Sequence, residues 1–259
     1  MLTISKRIRF LISSIVLIGG FISIQFLDNQ YRFTAIVLLS LITGLFSTWS
    51  FYEGLGLDMT LSSFILPILF TLGVGIFWFL LPVSIYTRIP IIIFFAIGIY
   101  VLFSTMNIYT VSSSKTIALL RAARGVGFVL TLVTSFLLFD AILSIRQAAL
   151  ISAPLIFISS FLFFLQGFWS IELGKKIDRN IINMTIISSL IVTELGIIIF
   201  FWPVTVVVGS LFLTSGVYML LGLGQTKLED RLFPSAIREY ITVGFIVLIG
   251  MFFATHWGG

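Results

Sequence analysis

No cysteine occurs among the 259 residues, and charged residues make up only 10% of the chain. Without cysteine there is no disulfide frame, no thiolate metal site and no cysteine nucleophile. H-E-x-x-H, Walker-loop and dinucleotide-binding signatures are missing too, as is any Asp-rich pair suited to lipid-linked phosphates. These absences leave no catalytic residue, metal site or cofactor to assign. An ordinary soluble domain carries about 25% charged residues. Here 59% of the residues are hydrophobic and the mean hydropathy is +1.20. One soluble core does not grow large enough to hide that much apolar surface. A bilayer removes the need.

What is present is a series of apolar runs near the 20 or so residues that cross a membrane. The expected spans are 10–27, 33–52, 61–82, 90–108, 125–145, 150–171, 181–202, 204–223 and 241–256. This predicts an all-α, polytopic transmembrane bundle of about nine spans, forming a single integral membrane domain over 1–259. Eight spans result if one short run is only interfacial. Lys6, Arg7 and Arg9 precede the first run, which no small-residue cleavage site follows. It therefore reads as an uncleaved span. Turns are expected at Asp28-Asn29-Gln30, at Thr87-Arg88-Ile89-Pro90 and at Trp202-Pro203, with Pro203 opening the eighth helix. No clear sequence repeat is visible.

The basic residues supply an orientation. Lys6, Arg7, Arg9, Lys115, Arg121, Arg124, Lys175, Lys176, Arg179, Lys227, Arg231 and Arg238 fall in every second gap. Arg32, Arg88 and Arg146 fall in the others. Short cytoplasmic loops retain Lys and Arg, so the N-terminus is expected in the cytoplasm and the C-terminus outside, in the cell membrane. The net charge of +5 is then explained by topology and by anionic lipid headgroups at the cytoplasmic face. It forms no basic stripe for nucleic acid. Lys175-Lys176-Ile177-Asp178-Arg179 is a topology anchor. Two loops are longer. Ser112 to Arg124 is expected to extend the fifth helix, and Gln225 to Tyr240 to be a solvated link broken by Pro234.

Ionisable groups inside spans mark functional sites by default. Glu194 lies past the midpoint of the seventh span, where a lone carboxylate should face other helices. Gln166 on the preceding span and Ser188, Ser189 and Thr193 on its own could reach it. Asp140 lies two-thirds along the fifth span, six residues before Arg146, and is expected to be an interfacial or snorkelling carboxylate that pairs with Arg146 only if the helix end bends. Pro67 and Pro154 are helix-break candidates, since each removes a backbone donor.

Thr214-Ser215-Gly216 together with Ala254-Thr255-His256-Trp257-Gly258-Gly259 resembles, in part, the serine and histidine motifs of rhomboid intramembrane proteases. Ser215 sits about eleven residues deep and His256 at the rim, which at 1.5 Å per residue separates them by about 15 Å. A base must lie within hydrogen-bond reach of its nucleophile, so the likeness fails. His256 then belongs with Trp257 in an interfacial belt. Two functions remain: a non-catalytic membrane component that packs against a membrane-protein partner, and a small-solute or ion transporter using Glu194.

Overall fold

The computed structural model describes residues 6–51, 57–82, 84–112, 118–146, 148–173 and 177–255. Among them all regular structure is helical: α1 (Lys6–Ile24), α2 (Asn29–Phe51), α3 (Leu57–Leu80), α4 (Ile85–Ser112), α5 (Leu120–Ser144), α6 (Ala149–Glu172), α7 (Arg179–Phe200), α8 (Val206–Leu228) and α9 (Pro234–Phe253). All but α1 are long and apolar enough to cross a membrane. The 19 residues of α1 extend about 28 Å at 1.5 Å each, close to the ~30 Å hydrocarbon thickness. The chain is a multi-span helical membrane protein.

Several boundaries move. The turn expected at Thr87–Pro90 falls earlier, since α4 already begins at Ile85 and Pro90 lies inside it. Ser84 takes over the start of that helix, its hydroxyl accepting from Tyr86 N at 3.2 Å. Pro203 does not open the eighth helix. Thr205 caps it, its side chain accepting from Val208 N. The link after α8 shrinks to 229–233, because Pro234 starts α9. Proline has no N–H to lose at a first helical position, so it starts helices as readily as it breaks them. Both α3 and α6 run unbroken through Pro67 and Pro154. The Ser112–Arg124 stretch lies partly outside the described residues; in its described part α5 begins at Leu120, extending the fifth helix ahead of the 125–145 span as expected.

Two compact units divide the chain, 1–130 with 173–176, and 131–172 with 177–259. In the first, α2 packs on α1 and α3, and α4 closes against α1 and α3. Phe21 stacks on Phe95 with ring centroids 4.6 Å apart, and Phe95 on Phe70 at 6.1 Å. Hydroxyl pairs cross helix seams at Ser13–Ser50, 2.9 Å, and Thr43–Thr71, 3.1 Å. Such pairs contribute about 0.6 kcal/mol each in a bilayer. In the second unit α6 packs on α7, α8 packs on both, and α9 lies on α8. Trp169, Phe163 and Phe164 are wholly buried there, with Phe139 edge-on to Phe163 at 6.3 Å. Phenylalanine thus serves the core and, at Phe33, Phe200 and Phe245 among others, the exposed helix faces.

The helix boundaries reveal a repeat that the residues conceal. α2 starts at 29 and α6 at 149, and α3 ends at 80 and α7 at 200, each pair 120 apart. α4 starts at 85 and α8 at 206, 121 apart, and α1 and α5 end at 24 and 144. Shifting by 120 or 121 superposes Pro82-Val83-Ser84 on Pro203-Val204-Thr205 and Trp49-Ser50 on Trp169-Ser170. The packing of α2 on α3 repeats in that of α6 on α7. A Cβ built on Gly75 would come 2.6 Å from Ile36, and one on Gly196 would come 2.6 Å from Ile156. Ile36 and Ile156 are 0% and 1% exposed. Ser40 donates to Ile36 O, and its counterpart Ser160 donates to Ile156 O. The helix order is therefore a duplicated four-helix plan followed by α9, in which the α2–α3 and α6–α7 seams match, while among the described residues α5 lacks the broad contacts that α1 makes with α2 and α4.

Candidate functional site

Glu194 does not turn inward. It lies on the exposed face of α7, while Gln166 is buried on α6 with 2% exposure. The structure does not bring the two together. Ile187, Ile191 and Ile198 share Glu194's side of α7, at the i−7, i−3 and i+4 positions, and all three are exposed. Glu194 is thus a carboxylate set in an apolar stripe. It lies six residues, about 9 Å, short of the end of α7 at Phe200. Ser188 and Ser189 are buried, whereas Thr193 donates to the carbonyl of Ser189 at 2.7 Å. None of these hydroxyls serves the carboxylate.

Asp140 is the buried acid, at 4% exposure, where an interfacial or snorkelling carboxylate was the expectation. Ser210 of α8 donates to its Oδ1 at 3.3 Å. Arg146 is exposed and no ion pair joins it to Asp140 among the described residues. Under the 120-residue shift Asp140 corresponds to Gly20, and under 121 Glu194 corresponds to Gly73. Neither acid belongs to the shared four-helix plan.

Gln166 sits in a polar seam of its own. Its Oε1 and the Oγ1 of Thr185, on the facing helix α7, are buried without a hydrogen-bond partner. Nearby, Gln225 of α8 donates to Gly167 O at 3.0 Å and Ser170 donates to the same carbonyl at 2.7 Å. Asp178, expected to be part of a topology anchor, accepts from Arg179 N at 2.7 Å and caps α7. Lys175, Lys176 and His256 lie outside the described residues. Ser215 donates to Phe212 O at 2.7 Å, a bond within its own helix.

Two clefts carry features that the sequence did not single out. In the first unit Asn29, Arg32, Phe33, Trp78, Phe79 and Leu81 surround about 300 Å³. Arg32 Nε donates to Leu27 O at 2.7 Å, and its guanidinium carbon lies 5.4 Å from the centre of the Trp78 ring. In the second unit Leu143, Arg146, Ser152, Phe200, Trp202 and Thr205 are among the residues around a cleft of about 640 Å³. Trp202 is held by a hydrogen bond from Nε1 to Thr255 Oγ1, 2.8 Å. Arg146 lies two residues past the end of α5 with φ 49°, its N–H donating to Leu143 O. Arg32 had counted only as an exception to the charge bias, and Arg146 as an exception and a conditional partner of Asp140. The pocket-forming turns come from chain segments far apart in sequence, which spacing alone does not join.

The chain belongs to the DUF5656 family, proteins of unknown function, whose profile matches residues 15–254. No curated protein and no solved structure matches it.

Proposed function

We propose that the protein is a non-catalytic component of a membrane assembly, and that the face of α7 around Glu194 is where a partner helix packs. The observation that carries this is the outward placement of Glu194. A carboxylate facing acyl chains pays a desolvation cost of a few kcal/mol by insertion scales. A neighbouring transmembrane helix bearing a hydrogen-bond donor or a cation at that depth removes the cost. The counterpart position in the first unit is Gly73, so helix formation and packing of the shared plan do not require the acid.

Purification in a gentle detergent should bring down a stoichiometric membrane partner. Glu194→Leu should release that partner while the chain still inserts and folds. A monomer that behaves identically with and without the substitution would sink the proposal.

Transport is the second reading, and the four-helix duplication favours it, since repeats are common in secondary transporters. There Glu194→Gln should abolish flux in liposomes; unchanged flux removes Glu194 from any transport mechanism. We further place the N-terminus in the cytoplasm and the protein in the cell membrane, on the distribution of basic residues. The cations on that side would meet anionic headgroups.

A further inference from the structure

We propose that each unit holds a binding cleft for an oxyanion, phosphate- or carboxylate-bearing and attached to an apolar body, centred on Arg32 in the first unit and on Arg146 in the second. This is independent of the partner face on α7.

The clefts occupy the same place in the repeated plan. Shifted by 120 or 121, Arg32 falls on Ser152, Trp78 on Ile199, Phe79 on Phe200 and Leu81 on Trp202, and all four of those counterparts line the second cleft. Each cleft has one arginine and one tryptophan, yet from positions that do not correspond. The arginine comes from the first turn of α2 in one unit and from two residues past the end of α5 in the other. The tryptophan comes from the last turn of α3 in one and from the turn after α7 in the other. Packing would preserve shapes at equivalent positions. Keeping the chemistry while its positions change points to a shared ligand.

The chemistry selects an anion. Among the described residues no Asp or Glu lines either cleft. Asp28, just ahead of α2, lies outside the lining set and gives its carbonyl to Tyr31 N. The bond from Nε and the ring beneath it hold the Arg32 fork in place and leave its two terminal nitrogens for a bidentate acceptor. Both clefts are lined by residues of a helix's first turn, Asn29 in α2 and Val206 and Val207 in α8, a position that carries backbone N–H groups. Such groups have no helical carbonyl to bond and favour negative charge. Arg146 adopts a left-handed backbone that glycine would adopt more cheaply, so the side chain there is kept at a cost in strain. The remaining lining is apolar or aromatic, and the clefts lie at helix ends, where headgroups meet acyl chains. A bilayer phospholipid and a free phosphate share the chemistry that the arginines recognise.

The test uses the full chain in nanodiscs of phosphatidylcholine with a minor fraction of phosphatidylglycerol, and native mass spectrometry to count the phosphatidylglycerol that stays bound. In parallel, inorganic phosphate is titrated against the chain in pure phosphatidylcholine, following the melting temperature. Arg32→Gln and Arg146→Gln should each weaken retention about tenfold at one cleft, and the double variant at both, as loss of a charge-assisted contact implies. Arg32→Lys and Arg146→Lys keep the charge and should retain more, which separates lost binding from lost folding. Arg88→Gln, at an arginine that lines neither cleft, should change nothing. A response confined to phosphatidylglycerol identifies a membrane lipid as the source, and one confined to phosphate identifies a soluble anion. Retention unchanged in the double variant, or lost equally in Arg88→Gln, would overturn the proposal.

Discussion

Glycine 75 and glycine 196 are the residues on which the two units' largest helix seams close. In each, the missing side chain lets a buried isoleucine of the neighbouring helix lie against the backbone. The two differ in what a methyl group would strike. At Gly75 the nearest atom is Cγ2 of Ile36, close to that residue's backbone; at Gly196 it is Cδ1 of Ile156, the far end of a side chain. Gly75→Ala should therefore be the costlier substitution, by about 1–3 kcal/mol of overpacking against the gain of under 1 kcal/mol in helix propensity. Ile156→Val removes the offending Cδ1 and should restore a Gly196→Ala variant, whereas Ile36→Val keeps Cγ2 and should not restore Gly75→Ala. Thermal or denaturant unfolding in detergent decides this. Equal costs at the two glycines would count against the seam geometry. At this scale the sequence exposed Glu194, Asp140 and Gln166 as unusual, because ionisable and amide groups in apolar runs stand out. It could not say that Asp140 is buried and Glu194 is not, since helical phase alone does not identify which neighbour covers which face.

Helix ends are decided by local chemistry, and there the written pattern proved readable in kind but not in position. Ser84 and Thr205 occupy corresponding places after Pro82 and Pro203 and serve the first turns of α4 and α8. Each hydroxyl satisfies one of the N–H groups that a helix start leaves unpaired. Thr205→Ala should cost about 1 kcal/mol, read as a lower unfolding midpoint, with Thr205→Ser close to neutral. A neutral alanine would show that the capping bond, 3.4 Å from Val208 N, carries no net stability. Pro90 and Pro234 were read as turn and breaker. Both lie in helices, Pro234 at the first position and Pro90 six residues into α4. Pro234 forfeits nothing, because the first N–H groups of a helix have no helical acceptor, whereas Pro90 gives up the bond its N–H would have made to the Tyr86 carbonyl inside α4.

For the whole molecule, the duplicated plan and the charge bias constrain one another. Four helices per repeat is an even number, so the chain returns to its starting side before the second set begins. α1, slightly short by itself, is the counterpart of α5, which supports counting it as a span. The orientation has a direct test, made simple by a chain without native cysteine. A single cysteine at 257 should label from outside intact cells, and one at 177 only after permeabilisation. The reverse pattern would invert the topology.

The sequence by itself determined that the chain is helical and lives in a membrane, because apolar run length and the scarcity of charge are sums over residues and need no partner to interpret. It also pointed to where the spans lie, to within a few residues. Which faces meet, and hence where Glu194 points, what Asp140 bonds to and which arginines share a cleft with a tryptophan, depended on the tertiary structure. So did the repeat. Its signature lies in helix lengths and in a few seam contacts such as Gly75 on Ile36 and Gly196 on Ile156, while lipid-facing positions, free to exchange one apolar residue for another, have lost the resemblance between the two halves.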